Sequence, residues 1–127
     1  QSMALRLGKP VHLQHEHRDV TAVALASKQT LIATGGIVGR ITLWESSEGT
    51  ELMTLSGAHE DDCRINTLAF NNDGSVLASG GEDSKIVLWD LADLGAKIRF
   101  RMLEGHGPLV PIMCLAFSAS TSLLCSG

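Results

Sequence analysis

The sequence predicts an all-β protein built from a repeated, four-stranded antiparallel unit. Short apolar runs recur in register along the chain. Turn chemistry rich in Gly, Asn and Asp separates them, and no stretch holds a helical period of useful length. The recurrence is explicit. Val23-Ala24-Leu25 matches Leu68-Ala69-Phe70 and Leu115-Ala116-Phe117, and Ala33-Thr34-Gly35-Gly36 matches Ala78-Ser79-Gly80-Gly81 and Cys125-Ser126-Gly127. Ile41-Thr42-Leu43-Trp44-Glu45 likewise matches Ile86-Val87-Leu88-Trp89-Asp90, and Ala58-His59 matches Gly105-His106. The first two units are 45 residues apart and the next two 47. A fixed period of this size marks a repeat architecture, in which each unit buries its faces against its neighbours.

The strands follow in order. Val11–Gln14 reads as extended. In the first full unit, strands are expected around 23–25, 33–36 and 41–45. In the second, Ile65–Phe70 is apolar at 65, 68, 69 and 70, which implies burial on both faces. Ser75–Ser79 and Lys85–Asp90 are the next two strands, bounded by the turns Asn71-Asn72-Asp73-Gly74 and Gly80-Gly81-Glu82-Asp83. Ile98–Leu103 is the fourth, with Arg99 and Arg101 alternating against Ile98, Phe100 and Met102, the mark of an outer strand with one wet face. The spacing from Trp89 to His106 is two longer than from Trp44 to His59. The insertion therefore lies in 91–105, most simply in the turn Ala92-Asp93-Leu94-Gly95.

Composition limits the function. The 127 residues are 44% hydrophobic and 19% charged, a globular balance that fits one domain at most and argues against disorder. No apolar run approaches the roughly 20 residues of a membrane span. A net charge of −4 argues against sequence-independent binding to a phosphate backbone. Cys63, Cys114 and Cys125 fit neither a disulfide framework nor a C-x-x-C metal site, and their apolar neighbours imply reduced, partly buried thiols. Reduced cysteines and no export signal give the expectation of a cytoplasmic or nuclear protein.

Taken together, the Gly-His-like pairs, the Trp-Asp and Trp-Glu pairs and the 45-residue period resemble the WD-repeat β-propeller family. The second unit carries the pattern best: Ala58-His59, Leu68-Ala69-Phe70, Asp73-Gly74, Ala78-Ser79-Gly80, Asp83 and Trp89-Asp90. The resemblance runs from about Val11 to Gly127. It implies an all-β propeller fragment of about two and a half blades. Residues 1–14 would hold a tag remnant (Gln1-Ser2-Met3) and the outer strand of a preceding blade. Blade one would span 15–57 and be degenerate, blade two 58–104, and 105–127 would begin a third. Propellers close with about 4–8 blades, so the missing blades would come from a longer parent chain or from other chains.

The resemblance also implies a hydrogen-bonded set inside each blade, made by a His, a Ser or Thr, an Asp and the Trp. Residue by residue these are His59, Ser79, Asp83 and Trp89 in blade two. Blade one offers Thr34 and Trp44, with Val38 where the carboxylate belongs and His15 or His17 near the histidine's place. His106 and Ser126 begin the set of blade three. The chemistry is sound, because a buried indole N–H needs an acceptor and imidazole can link a hydroxyl to a carboxylate. His59 stands eleven positions before Phe70, a long connection that predicts a distorted set.

Two sharper readings compete with this structural one. His59, Ser79 and Asp83 are the residue types of a nucleophilic triad, but a set that recurs once per blade implies no pocket. In the His12–His15–His17 cluster, His15 and His17 would share one face of an extended strand and could hold a metal, but no nearby cysteine or further histidine completes the site. No catalytic residue, metal or cofactor is therefore expected. The family resemblance implies a non-catalytic scaffold that binds protein or peptide partners through its loop-rich faces within a larger complex. On such a face the acidic run Glu60-Asp61-Asp62, with Arg64 and Glu82, is a candidate partner-binding patch. The alternative is a subunit of a ribonucleoprotein or chromatin assembly that contacts nucleic acid through Lys85, Lys97, Arg99 and Arg101.

Overall fold

A computed structural model describes residues 13, 19–103, 106–119 and 123–127. The expected tag remnant and preceding strand, with His12, His15 and His17, lie outside the described residues apart from Leu13. All the secondary structure among the described residues is β. The strands are β1 (Ala22–Leu25), β2 (Leu31–Gly35), β3 (Ile41–Glu45), β4 (Thr50–Leu55), β5 (Ile65–Phe70), β6 (Val76–Gly81), β7 (Ile86–Asp90), β8 (Arg99–Leu103), β9 (Leu115–Phe117) and β10 (Leu124–Ser126). They form two four-stranded sheets, β1-β2-β3-β4 and β5-β6-β7-β8, and the hairpin β9/β10, antiparallel throughout. This is the arrangement of two propeller blades and the inner half of a third.

Turn chemistry closes the hairpins. Gly74 takes a left-handed φ of 76° between β5 and β6, where Asp73 accepts from the Ser75 hydroxyl and N–H. After β3 the Glu45 carboxylate accepts from the Ser47 hydroxyl at 2.6 Å and from the N–H groups of Ser47 and Glu48. These bonds hold its carboxyl down to about 2. The connection from β7 to β8 spans 91–98, against 46–49 between β3 and β4; it is four residues longer and contains the expected turn 92–95. Gly80 and Gly81, expected in the turn, instead end β6. Gly80 pairs with Ile86 and Gly81 with Ile65, so the turn itself is Glu82–Lys85.

The main core lies between the two sheets. Ala33, Leu43 and Leu55 of the first sheet meet Ile65, Leu77, Val87 and Trp89 of the second in one buried cluster. A smaller cluster, Ala78, Ile86, Ile112 and Leu115, joins the second sheet to the β9/β10 hairpin. Burying such residues from both faces of a sheet is what the doubly apolar strands require.

A repeated joint sets the spacing between units. A Cβ built on Gly35 would meet Ile65 Cγ2 at 2.7 Å, and one built on Gly80 would meet Ile112 Cγ2 at 2.5 Å. Each isoleucine therefore occupies the space a side chain would need. The Ile65 N–H donates to the Gly36 carbonyl at 2.9 Å and the Ile112 N–H to the Gly81 carbonyl at 3.1 Å. The residue after each knob's counterpart adds a bond. Thr21 Oγ1 donates to the Ile65 carbonyl at 2.6 Å, and Asn66 Nδ2 to the Ile112 carbonyl at 3.1 Å. Gly39, at φ 69°, adds a third contact, its N–H donating to the Cys63 carbonyl at 2.7 Å. A Cβ there would collide with the Glu60 carbonyl oxygen.

Two expectations are corrected. Only Cys63 is buried; Cys114 and Cys125, in and beside the β9/β10 hairpin, are exposed among the described residues. On β8 both faces are wet: Arg99 and Arg101 are exposed, and so are Phe100 (42%) and Met102 (46%). On β8, the last strand of its sheet, Phe100 leans on Trp89 with ring centroids 5.3 Å apart at 52°.

Candidate functional site

Four side chains from four segments meet inside the second sheet. Trp89 on β7 and Ser79 on β6 come from neighbouring strands, Asp83 from the tight turn between them, and His59 from the loop entering β5. The Trp89 indole donates to Ser79 Oγ at 2.9 Å. Ser79 Oγ lies 2.7 Å from His59 Nε2, and His59 Nδ1 lies 3.0 Å from Asp83 Oδ2. The chemistry fixes the protons. Indole only donates and carboxylate only accepts, so Ser79 gives its proton to Nε2 and Nδ1–H points at Asp83. The chain of donation runs Trp89 to Ser79 to His59 to Asp83.

Burial favours this neutral imidazole. It pushes His59 below its ordinary pKa, and the adjacent Asp83 charge offsets that only in part. Burial also pushes Asp83 up. The backbone N–H groups of Glu60 and Lys85 and the His59 contact outweigh it, so the carboxyl is held below its usual range.

The expected distortion of this set is absent, since all its bonds lie between 2.7 and 3.1 Å. The loop takes up the extra residues in a turn at 61–62, closed by the Cys63 N–H donating to the Glu60 carbonyl at 3.0 Å. In the first sheet the Trp44 indole donates to Thr34 Oγ1 at 2.8 Å, and half-buried Val38 stands in the carboxylate's place. His15 and His17 lie outside the described residues. In the third unit His106 Nε2 lies 2.8 Å from Ser126 Oγ, repeating the His–Ser link.

Cys63, expected from sequence as a reduced, partly buried thiol, lies beside this set. Its thiol joins His59 Nδ1 and the Asp83 carboxylate in a group whose ligand atoms lie within 4.8 Å of one another. The donor set suits a metal poorly. Burial pushes the thiol up to about 11, and Nδ1 already spends its hydrogen on Asp83, whereas a metal needs a thiolate and a free imidazole lone pair. A histidine four residues before a cysteine was the visible signal, but only the turn at 61–62 brings them together.

The proposed patch residues lie around this loop. Asp61, Asp62 and Arg64 are exposed, and the Glu82 N–H donates to the Arg64 carbonyl at 3.0 Å. Lys85 Nζ lies 3.9 Å from Glu60 Oε1. Asn66 Nδ2 donates to Glu82 Oε1 at 3.0 Å and lies 3.5 Å from Met113 Sδ, which ties the loop of the second unit to that of the third. There Leu109 is 94% exposed, at a left-handed φ of 65°. No sequence signal marked it.

The comparisons with known proteins agree with this geometry. The family model for the WD domain, G-beta repeat, matches residues 49–90 and 98–127, more than half of the chain. The chain belongs to this family. It is 41% identical over 99 residues to the WD repeat and SOCS box-containing protein 1 of Danio rerio, and 37% identical over 99 residues to that of Homo sapiens. Each match covers 77% of this chain and 22% of the relative. It is also 34% identical over 98 residues to the WD repeat-containing protein 75 of Xenopus laevis, covering 70% of this chain and 12% of that protein. The WD-repeat chain thus spans about a fifth, or less, of the length of these curated relatives. No helix among the described residues is long and apolar enough to cross a membrane.

Proposed function

We propose that this WD-repeat chain is a non-catalytic interaction module that binds protein or peptide partners through its rim of loops, as part of a larger assembly. WD repeats generally mediate protein–protein interaction. One observation carries the non-catalytic half of the reading. Ser79, His59 and Asp83 have the connectivity of a nucleophilic triad, yet Ser79 is fully buried and its oxygen is capped by the Trp89 indole. A nucleophile needs an approach path and an oxyanion site; this one has an indole in the way. The same hydroxyl–indole bond recurs at Thr34 and Trp44, as a scaffold element should.

The rim is where the chain has chemistry to offer. Asp61, Asp62, Arg64 and Glu82 are exposed around the loop entering β5, and binding residues commonly sit on loops positioned by a rigid scaffold. The nucleic-acid reading has less support. Arg99 and Arg101 are exposed on β8, but the chain as a whole carries a net charge of −4, against a phosphate backbone.

A peptide array probed with the folded chain tests the proposal, alongside a single-stranded oligonucleotide. The expected result is peptide binding that Asp61→Lys with Asp62→Lys abolishes while the melting temperature holds. Peptide binding indifferent to those substitutions would overturn the rim assignment. Oligonucleotide binding that falls about 10³-fold or more between 50 and 200 mM salt would favour the alternative.

A further inference from the structure

The last strands of the two sheets, β4 and β8, are built differently. In register, Phe100 and Met102 on β8 lie across from Trp89 and Val87. At the matching places on β4, Glu51 and Thr54 lie across from Trp44 and Thr42. Arg101 likewise stands where β4 has Met53, each across from a leucine, Leu88 and Leu43. Residues directly opposite in an antiparallel pair point to the same face. Trp89 and Val87 belong to the cluster between the two sheets, so Phe100 and Met102 face the first sheet. Met53 packs on the same cluster from the β4 side. The gap between β4 and β8 therefore has apolar residues on both walls, yet Phe100 and Met102 are 42% and 46% exposed. Both strands are described in full, so this chain itself bounds the gap on either side. The sheets meet through β1, β2 and β5, toward the other end of each sheet.

We propose that the edge of β8 takes an extended segment of a partner protein as a fifth strand, and that this segment alternates apolar and acidic residues. An edge strand offers a row of unpaired backbone N–H and C=O groups, and among the described residues β8 pairs only with β7. The apolar side chains of the segment cover Phe100 and Met102 and reach toward Met53, where the methionines adapt to the shape offered. Its intervening carboxylates face Arg99 and Arg101, which are exposed and form no ion pair among the described residues. Lys97 continues the same alternation just before the strand. A second copy is a poor occupant. Any register of β8 against β8 that joins the apolar faces also sets arginines beside arginines, and like charges across a strand pair are destabilising. β4 has exposed Glu51 and Thr54 at the two matching places and offers no such face. This surface lies apart from the loop entering β5 and does not depend on the rim assignment.

Fluorescence anisotropy with the full chain tests this, using a labelled decapeptide of alternating valine and glutamate. The Val/Glu peptide should bind and its Val/Lys analogue should not. Phe100→Thr with Met102→Thr should weaken binding roughly tenfold through two lost cross-strand contacts, while threonine keeps the strand's propensity. Arg99→Glu with Arg101→Glu should reverse the preference in favour of the Val/Lys peptide. All four side chains are exposed, and the melting temperature of each variant checks its fold. Hydrogen exchange adds a readout of the backbone: saturating Val/Glu peptide should slow amides within 99–103. Asp61→Lys with Asp62→Lys should leave this binding unchanged, which separates it from the rim. No binding up to millimolar peptide, or binding that both β8 double variants leave intact, would overturn the proposal. So would a single-stranded oligonucleotide that protects the same amides at lower concentration than the peptide, which would give the strand to nucleic acid.

Discussion

His59 is held against Asp83 with Nδ1 3.0 Å from Oδ2 and no more than 1% of either side chain exposed. A buried imidazole in this position is a fastener. It turns the tight turn after β6 and the loop before β5 into one body, and through Ser79 it satisfies the indole of Trp89.

Acid should loosen the fold in two stages of the same sign. The folded His59 has a lowered pKa, so on acidification the unfolded chain takes up a proton near pH 6.5 before the folded chain does. Stability is therefore full above about pH 6.5 and falls as the pH drops through the folded pKa. Asp83, also lowered, repeats the effect below its ordinary value of 3.8. Urea midpoints measured between pH 7.5 and 5 should decline for the native chain and decline less for His59→Gln, which has no proton to bind there.

The two tryptophans should differ. Trp89 sits in the cluster between the sheets, and Trp89→Ala is expected to cost about 3–5 kcal/mol. Trp44 is buried and bonded to Thr34, but it lies outside that cluster and its turn has Val38 in place of a carboxylate. Trp44→Ala should cost less. Equal losses in denaturant melts would contradict the view that the first blade is degenerate.

Gly35 should resist even a methyl group. In Gly35→Ala the new Cβ would stand 2.7 Å from Ile65 Cγ2 and 2.8 Å from Ile65 Cβ, so the sheets must part or the isoleucine must move. The expected loss is about 1–3 kcal/mol, the usual cost of overpacking. Adding Ile65→Ala should recover part of it, which a purely local backbone effect would not allow.

The three thiols should react in two classes. Cys63 is buried and its thiol is pushed up to about 11, whereas Cys114 and Cys125 are exposed. Titration with a thiol reagent at pH 8 should show two fast groups and one that reacts only on unfolding. Three fast groups would mean that the loop around His59 opens in the native state.

Much of the fold was legible because turn residues punctuate it. Asn71–Gly74 and the Trp-Asp pair delimit strands by local chemistry alone, and family resemblance identified His59, Ser79, Asp83 and Trp89. What escaped depends on packing between units. Gly80 and Gly81 look like turn residues in sequence, yet Gly80 ends a strand because Ile112 needs the space of its side chain. The Cys114 and Cys125 runs look buried, but both thiols are exposed among the described residues. The long connection after His59 looked like a source of distortion, and a single turn closed on Glu60 absorbs it.

In the proposed reading, Ser79 holds the blade together and performs no chemistry. The most direct measurement is the denaturant midpoint of Ser79→Ala. With the hydroxyl gone, the Trp89 indole N–H loses its acceptor and His59 Nε2 its donor, both inside the sheet. The predicted result is a loss of about 1–3 kcal/mol, the cost of stranding buried polar groups. A midpoint that does not fall would contradict it, because a serine kept for catalysis can be removed without weakening the fold that carries it.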